Sequence, residues 1–381
     1  MPHGESMRRK SNFELLRILA ASLIVAYHFL CGAGYHPYYG GKSYASEVKL
    51  ISIILGSWGI LGVDLFVIIS AFFLRNAIWR VERLISLIIQ VFFYELLFTT
   101  AEFIYQCAIG GLAGGLKAIV LLYVDKALQP LWAKDYWYVT TYIFLYLLVP
   151  WLNKIIQSFE EKQYKKLLII LTFIPLYSNF WVGTPPVANI ANFVYIYLLI
   201  GYLEKWNRQT FFEKHAFKGT IVITILIVVA LWLNMVFPSK GIKGMVKNFL
   251  PFTFANMNRH SLIILLDALM IFYLFKGIEI PTSKVINSIS ACTLGVYLFH
   301  ENPTFIPMSK TVDTLLRNLV KWEPGASAFL LHCLLGCFLL FLGGLMIEVL
   351  RKPITEKAIV PCIRKRFSKE IEQINNWFRT V

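Results

Sequence analysis

Apolar runs of about 20 residues, the length a helix needs to span bilayer hydrocarbon, recur from end to end of this 381-residue chain. They fall near residues 12–32, 51–74, 84–106, 136–153, 167–183, 189–204, 219–237, 261–277, 285–302 and 326–350. The spacing predicts an all-α fold: a polytopic transmembrane helix bundle of about ten spans. Charged residues make up only 15% of the chain, against about 25% in soluble domains. The fifth and sixth runs are short and joined through Thr184-Pro185-Pro186, which predicts a tight turn. Over 107–135 the pattern is less regular, and Gly110-Gly111 and Gly114-Gly115 predict a loop with a short surface helix.

The formal charge is +15, yet the positive residues sit between apolar runs rather than on one soluble face. They therefore argue for membrane orientation and against a nucleic-acid partner. With the N-terminus placed in the cytoplasm, 25 of the 37 lysines and arginines fall on that side and 12 on the other. The positive-inside bias gives N-in, C-in topology for a multi-pass protein of the cell membrane. Residues 1–350 form the transmembrane domain. From Lys357 to Val381, Ile359, Ile363, Phe367, Ile371, Ile374, Trp377 and Phe378 alternate with basic residues. This reads as a basic amphipathic tail over 351–381, lying on anionic lipid of the inner leaflet.

Six cysteines are present with no CxxC pair. They read as small packing residues, with neither a disulfide framework nor a metal site implied. The run after Arg8, Arg9 and Lys10 has the outline of a signal peptide, but the polar residues within it argue that it is retained.

Ionisable groups inside a span are costly, so each is a functional candidate. The first span carries Glu14, Arg17 and His28. Arg17 and His28 are 11 residues apart, three turns plus about 20°, so they share a face roughly 16 Å apart along the axis. Glu14 lies one turn below Arg17 and can pair with it. Taken singly, Arg17 reads as a snorkelling side chain and His28 as an interfacial one; three polar groups on one stripe favour function. The second span holds Asp64, whose natural partner is Arg17 on the neighbouring helix, either as a structural pair or as catalytic support. Gly59 and Gly62 would let the two helices approach closely. In the following inner loop Arg75, Arg80 and Arg83 suit phosphate binding, though ordinary positive-inside residues look the same. Tyr136-Trp137-Tyr138 reads as an aromatic belt. Tyr297 and His300 close the ninth span at the level of His28. Glu348 sits near the inner end of the tenth, where snorkelling would explain it, and His260 opens the eighth.

These residues together resemble the membrane acyltransferase 3 family, over essentially the whole chain. Phe13-Glu14-Leu15-Leu16-Arg17 with His28 resembles the family's Arg-x10-His element. Gly62-Val63-Asp64-Leu65-Phe66 through Ser70-Ala71-Phe72 resembles its G-V-D-x-F-F-x-x-S-G-F motif. Arg80-Val81-Glu82-Arg83 resembles R-x-x-R, and Gly295-Val296-Tyr297-Leu298-Phe299-His300 its closing G-x-Y-x-x-H. Glu348 ahead of Arg351-Lys352-Pro353 is a weaker fifth element. Two departures stand out: Glu14 replaces the usual Asp, and Ala71 the usual Gly. The SGNH-type outer domain that some members carry is not seen in this sequence.

The resemblance implies O-acyl transfer, usually of acetyl, from cytoplasmic acyl-CoA to a hydroxyl of a cell-surface polysaccharide or lipid-linked sugar. Acetyl-CoA would be a donor substrate, with no bound cofactor and no metal. On that reading His28 is a general base or carries the acyl group itself. Arg17, Asp64 and Glu14 hold the donor or fix the first two helices. Arg80, Arg83 and Arg75 hold donor phosphates, and His300, Tyr297 and Glu348 lie on the acceptor side or in support. Membrane lipid and the glycan acceptor are the expected partners. A transporter or flippase of polysaccharide intermediates is the rival, which should show internal repeats or paired interrupted helices; the sequence shows neither.

Overall fold

The computed structural model describes residues 10–35, 46–108, 136–178, 186–236, 261–302, 308–319 and 325–380, with isolated positions 115, 117 and 121. Every regular element among them is helical. In chain order these are α1 (Ser11–Gly32), α2 (Ser46–Leu74), α3 (Val81–Ala108), α4 (Trp137–Ser158), α5 (Glu161–Ser178), α6 (Pro186–Lys205) and α7 (Thr210–Val236). Next come α8 (Leu262–Gly277), α9 (Lys284–Ser290), α10 (Thr293–His300), α11 (Met308–Leu319), α12 (Ala326–Ile354), a π-helical turn (Thr355–Ile359), α13 (Val360–Arg366) and α14 (Ser368–Arg379). Of the loop expected over 107–135, residues 107–108 end α3 and 109–135 lie outside the described residues, isolated positions aside; of the turn expected at Thr184-Pro185-Pro186, Pro186 opens α6 and the other two lie outside them, as does His260.

Six helical stretches are long and apolar enough to cross a membrane: α1, α2, α3, α4, Thr210–Leu233 of α7, and the run Ala326–Arg366. α5, α6 and α8 complete the bundle at 18, 20 and 16 residues. The outer faces of α7 and α12 expose Val222, Ile225, Leu226, Leu334, Phe338 and Met346. Such apolar surface is what helices surrounded by lipid present.

α2 sits at the centre, packed against α1, α6 and α8, with Leu65, Val67, Ile68 and Ile69 wholly buried. Its contact with α1 depends on two glycines. A Cβ on Gly62 would lie 2.5 Å from the Ala20 carbonyl oxygen, and one on Gly59 would lie 2.5 Å from the Tyr27 ring. The start of α1 is tied to the later half of the chain. Ser11 Oγ donates to Asn287 Oδ1 (3.0 Å) and Asn12 Nδ2 to the Phe275 carbonyl (2.9 Å).

Three features differ from the sequence expectation. The ninth run is not one helix: α9 and α10 meet at Ala291-Cys292. There the Ser290 hydroxyl bonds Glu14 of α1, and Thr293 Oγ1 takes the Ser290 carbonyl, so local side chains replace helical bonding. Tyr136 is not a belt residue. It is fully buried, accepts from Asn302 Nδ2 (2.7 Å) and donates to the Leu298 carbonyl (3.2 Å). The tail does more than lie on lipid. α12 passes position 350 unbroken, Pro353 is followed by the π turn, and α14 folds back on the body. There Phe378 stacks on Trp79 at 3.7 Å, and Asn375 Oδ1 accepts from the Val81 backbone N–H at 2.8 Å. Trp377 and Phe367 stay exposed.

Candidate active site

One cavity of about 1220 Å³ is enclosed by α1, α2, α3, α4, the α9–α10 break and the segment after α12. Its two ends differ in chemistry. Helical periodicity on α1 sends Arg17, Ala21, Ile24 and His28 to its wall, and on α2 Gly59, Val63, Phe66 and Ser70.

At one end His28 meets the end of α10. His28 Nδ1 lies 2.8 Å from His300 Nε2 and 3.1 Å from Glu301 Oε1. His300 Nδ1 is 2.6 Å from the Val296 carbonyl oxygen. A carbonyl only accepts, so Nδ1 of His300 carries the hydrogen and its Nε2 presents a lone pair. The hydrogen between the two rings therefore sits on Nδ1 of His28, shared with the Glu301 carboxylate. That tautomer makes Nε2 the proton-accepting nitrogen of His28, backed by a carboxylate that steadies the imidazolium formed when it accepts.

The three side chains also offer ligand atoms within 4.8 Å of one another, as a metal site would. Tetrahedral zinc would hold two ring nitrogens ~3.3 Å apart. The observed 2.8 Å is the length of a hydrogen bond and is accounted for by the shared hydrogen.

The other end is basic: Arg17, Arg83, Arg351 and Arg364 line it. Arg17 Nη1 is held by Glu14 Oε1 at 2.8 Å, as the spacing predicts, with its guanidinium carbon 5.6 Å from the Phe73 ring centroid. Glu14 in turn accepts from Ser290 Oγ at 2.5 Å, so one carboxylate fixes Arg17 and the helix break together. Between the ends the wall is largely aromatic, with Tyr138, Tyr142 and Tyr297 prominent. Tyr297 packs on Tyr138 and His300 with centroids 5.9 and 6.0 Å apart.

Of the residues singled out from sequence, His28, Arg17, Arg83, His300 and Tyr297 share this cavity. Glu14 stands directly behind Arg17. Asp64 does not reach Arg17. It is 2% exposed and makes no ion pair or hydrogen bond among the described residues. The reason is helical: Asp64 lies two residues, about 200°, beyond Gly62, which faces α1. Arg75 instead pairs with Glu204 at 3.1 Å. The Arg80 side chain is exposed and off the cavity wall, while its backbone N–H and carbonyl are both bound by the Tyr146 hydroxyl (3.1 and 3.0 Å). Glu348 does not snorkel. It is wholly buried, grips Arg351 at 2.7 and 2.8 Å, and accepts from Tyr94 and Gln90. A side chain on Gly295 would occupy the Glu348 carboxyl, so that glycine makes room for it.

Sequence reasoning gave no site role to Glu301 or Arg364, and quoted Arg351 only as part of the weaker fifth element. The signal for Glu301 was its place beside His300, and for Arg351 its i, i+3 spacing from Glu348. Nothing local marked Arg364, which reaches the cavity on the helical run that continues past Pro353 to Arg366.

Residues 10–349 match the family model described as an acyltransferase domain. Searches of curated proteins and of solved structures find no match. A multi-pass helical bundle with a histidine–carboxylate cluster at one end of its cavity and arginines at the other, matched over nearly its whole length, makes this chain a member of the acyltransferase 3 family: a membrane acyltransferase.

Proposed function

We propose that this acyltransferase moves an acyl group, acetyl by preference, from cytoplasmic acyl-CoA to a hydroxyl of a cell-surface polysaccharide or lipid-linked sugar, in a bacterial cytoplasmic membrane with both termini inside. The observation that carries this reading is the single cavity with His28 at one end and Arg83 at the other. The charge bias puts the arginine end in the cytoplasm, where a phosphate-rich donor is found. The aromatic stretch between the ends suits a slender, uncharged arm such as pantetheine.

The chemistry then runs through His28. Nε2 takes the proton of the acceptor hydroxyl while the oxygen attacks the thioester carbonyl carbon. The tetrahedral intermediate expels the thiolate as the C–S bond breaks, and the imidazolium returns its proton to that sulfur. His300 and Glu301 hold the ring and offset its transient charge. Arg17, clamped by Glu14, guides the arm past the middle of the cavity.

The test is a His28→Ala variant in cells that carry the acceptor glycan. Surface acetyl esters should disappear while the variant remains in the membrane at normal level. Ester content equal to wild type would overturn the assignment.

A further inference from the structure

The arginines at the basic end are not equivalent. Arg351 is committed: it is 3% exposed, and its guanidinium is taken by Glu348, Thr355 and Glu356. Arg83 and Arg364 line the same cavity, are exposed, and are gripped by no carboxylate in a salt bridge among the described residues. Arg83 leans on the Tyr146 hydroxyl. Arg364 acts together with Arg80 on the Glu82 carboxylate, which places it over the start of α3. The nearby acids are occupied, Glu356 by Arg351 and Glu82 by Asn375 Nδ2 at 3.1 Å. Two guanidinium groups at one cavity mouth, neither held in a salt bridge among the described residues, with the Glu82 charge divided between Arg80 and Arg364, form an anion site.

Arg364 lies beyond residues 10–349, the stretch matched to the family. It is carried there by the unbroken helical run from Ala326 to Arg366. It is kept there by α14, whose Phe378 stacks on Trp79 and whose Asn375 binds the first turn of α3.

We infer that the C-terminal segment completes the donor site, and that Arg364 binds the nucleotide phosphates of the acyl-CoA opposite Arg83. This rests on the donor reading above. Lipid headgroup phosphate shares the same chemistry, so the test must separate the two sources.

Full-length protein in phosphatidylcholine nanodiscs is assayed with acetyl-CoA and with acetyl-pantetheine, which lacks the nucleotide phosphates. Arg364→Ala should raise KM for acetyl-CoA about tenfold or more, the scale of a lost charge-assisted bond. Its kcat should hold, and its use of acetyl-pantetheine should match wild type. Arg364→Lys should recover part of the loss. Lys365→Ala, next in sequence but off the cavity wall, should behave as wild type. An unchanged KM for acetyl-CoA in Arg364→Ala would overturn the inference. So would a defect that appears only when anionic lipid is added, which would make the site a lipid site. Wild-type protein that transfers nothing from acetyl-CoA would overturn the donor reading itself, a result separable from either.

Discussion

Two histidine–carboxylate clusters lie toward the same end of this molecule. In one, His28, His300 and Glu301 meet at the cavity wall. In the other, His332 Nε2 lies 2.7 Å from Asp313 Oδ1, Tyr35 donates to the same oxygen at 2.7 Å, and Arg317 Nε pairs with Asp313 Oδ2 at 2.9 Å. By bond count the second is the better built. Yet none of its four residues lines the cavity, and Tyr35, Asp313 and His332 are all buried. It fastens α11 and α12 to the end of α1. A histidine beside a carboxylate is therefore not a site in itself; reach into a space that substrates can fill is what separates the two.

The sharpest way to break this comparison is to remove each histidine. His28→Ala should lower kcat by ~100- to 10,000-fold, the contribution of a positioned base, with little change in thermal midpoint. His332→Ala should do the reverse, costing about 1–3 kcal/mol of stability through the loss of one hydrogen bond to a buried carboxylate while kcat per folded enzyme holds. Equal loss of turnover in both would erase the distinction.

The second cluster should also carry a pH signature. Burial works to raise the Asp313 pKa, but bonds from His332, Tyr35 and Arg317 outweigh it and hold the carboxyl below its ordinary range. A depressed carboxylate contributes stability that is whole above its unfolded value, ~3.9, and is lost as pH falls through the lower folded one. Wild-type protein should lose thermal midpoint over that acid window, and Asp313→Asn should flatten the loss. A parallel acid profile in the variant would remove Asp313 from the account.

Smaller effects are expected at the arginine end. Asn375→Ala removes a cap on α3 and should cost about 1 kcal/mol, read as faster proteolysis of the tail and a few-fold rise in donor KM. Smallest of all is Arg80→Ala, which should change donor KM by less than ~2-fold, while Arg83→Ala raises it about tenfold. Kinetics on the two single variants will show whether cavity lining, rather than membership of an R-x-x-R motif, decides the role.

Much of this architecture is legible in the sequence alone. The apolar runs located α1 to α4, α7 and α12, because a bilayer span must satisfy its own backbone and therefore declares itself locally. The 11-residue interval from Arg17 to His28 placed both on one wall by helical geometry alone. Asp64 shows a signal available but outweighed: its 200° offset from Gly62 already argued against Arg17, yet a buried acid on a neighbouring helix invites a salt bridge. What could not be read was non-local. Ser290 breaking the ninth run depends on Glu14, 276 residues away in sequence. Trp79 receiving Phe378 depends on a helix break at Phe367 that no pattern near either residue announces.

That sequence distance has a consequence for how the protein is made. The polar stripe of α1 finds long-range partners in α9, α10 and the adjoining Glu301: His300 is 272 residues after His28, and Ser290 is 276 after Glu14. At ~5–20 residues per second of synthesis, a ribosome needs on the order of 15–50 s to deliver them. Through that interval α2 covers one side of α1, by way of Gly59 and Gly62, while the stripe waits without its final partners. The first helix thus waits through most of synthesis for these partners, and the insertion machinery must hold a half-finished cavity face until α9 and α10 arrive.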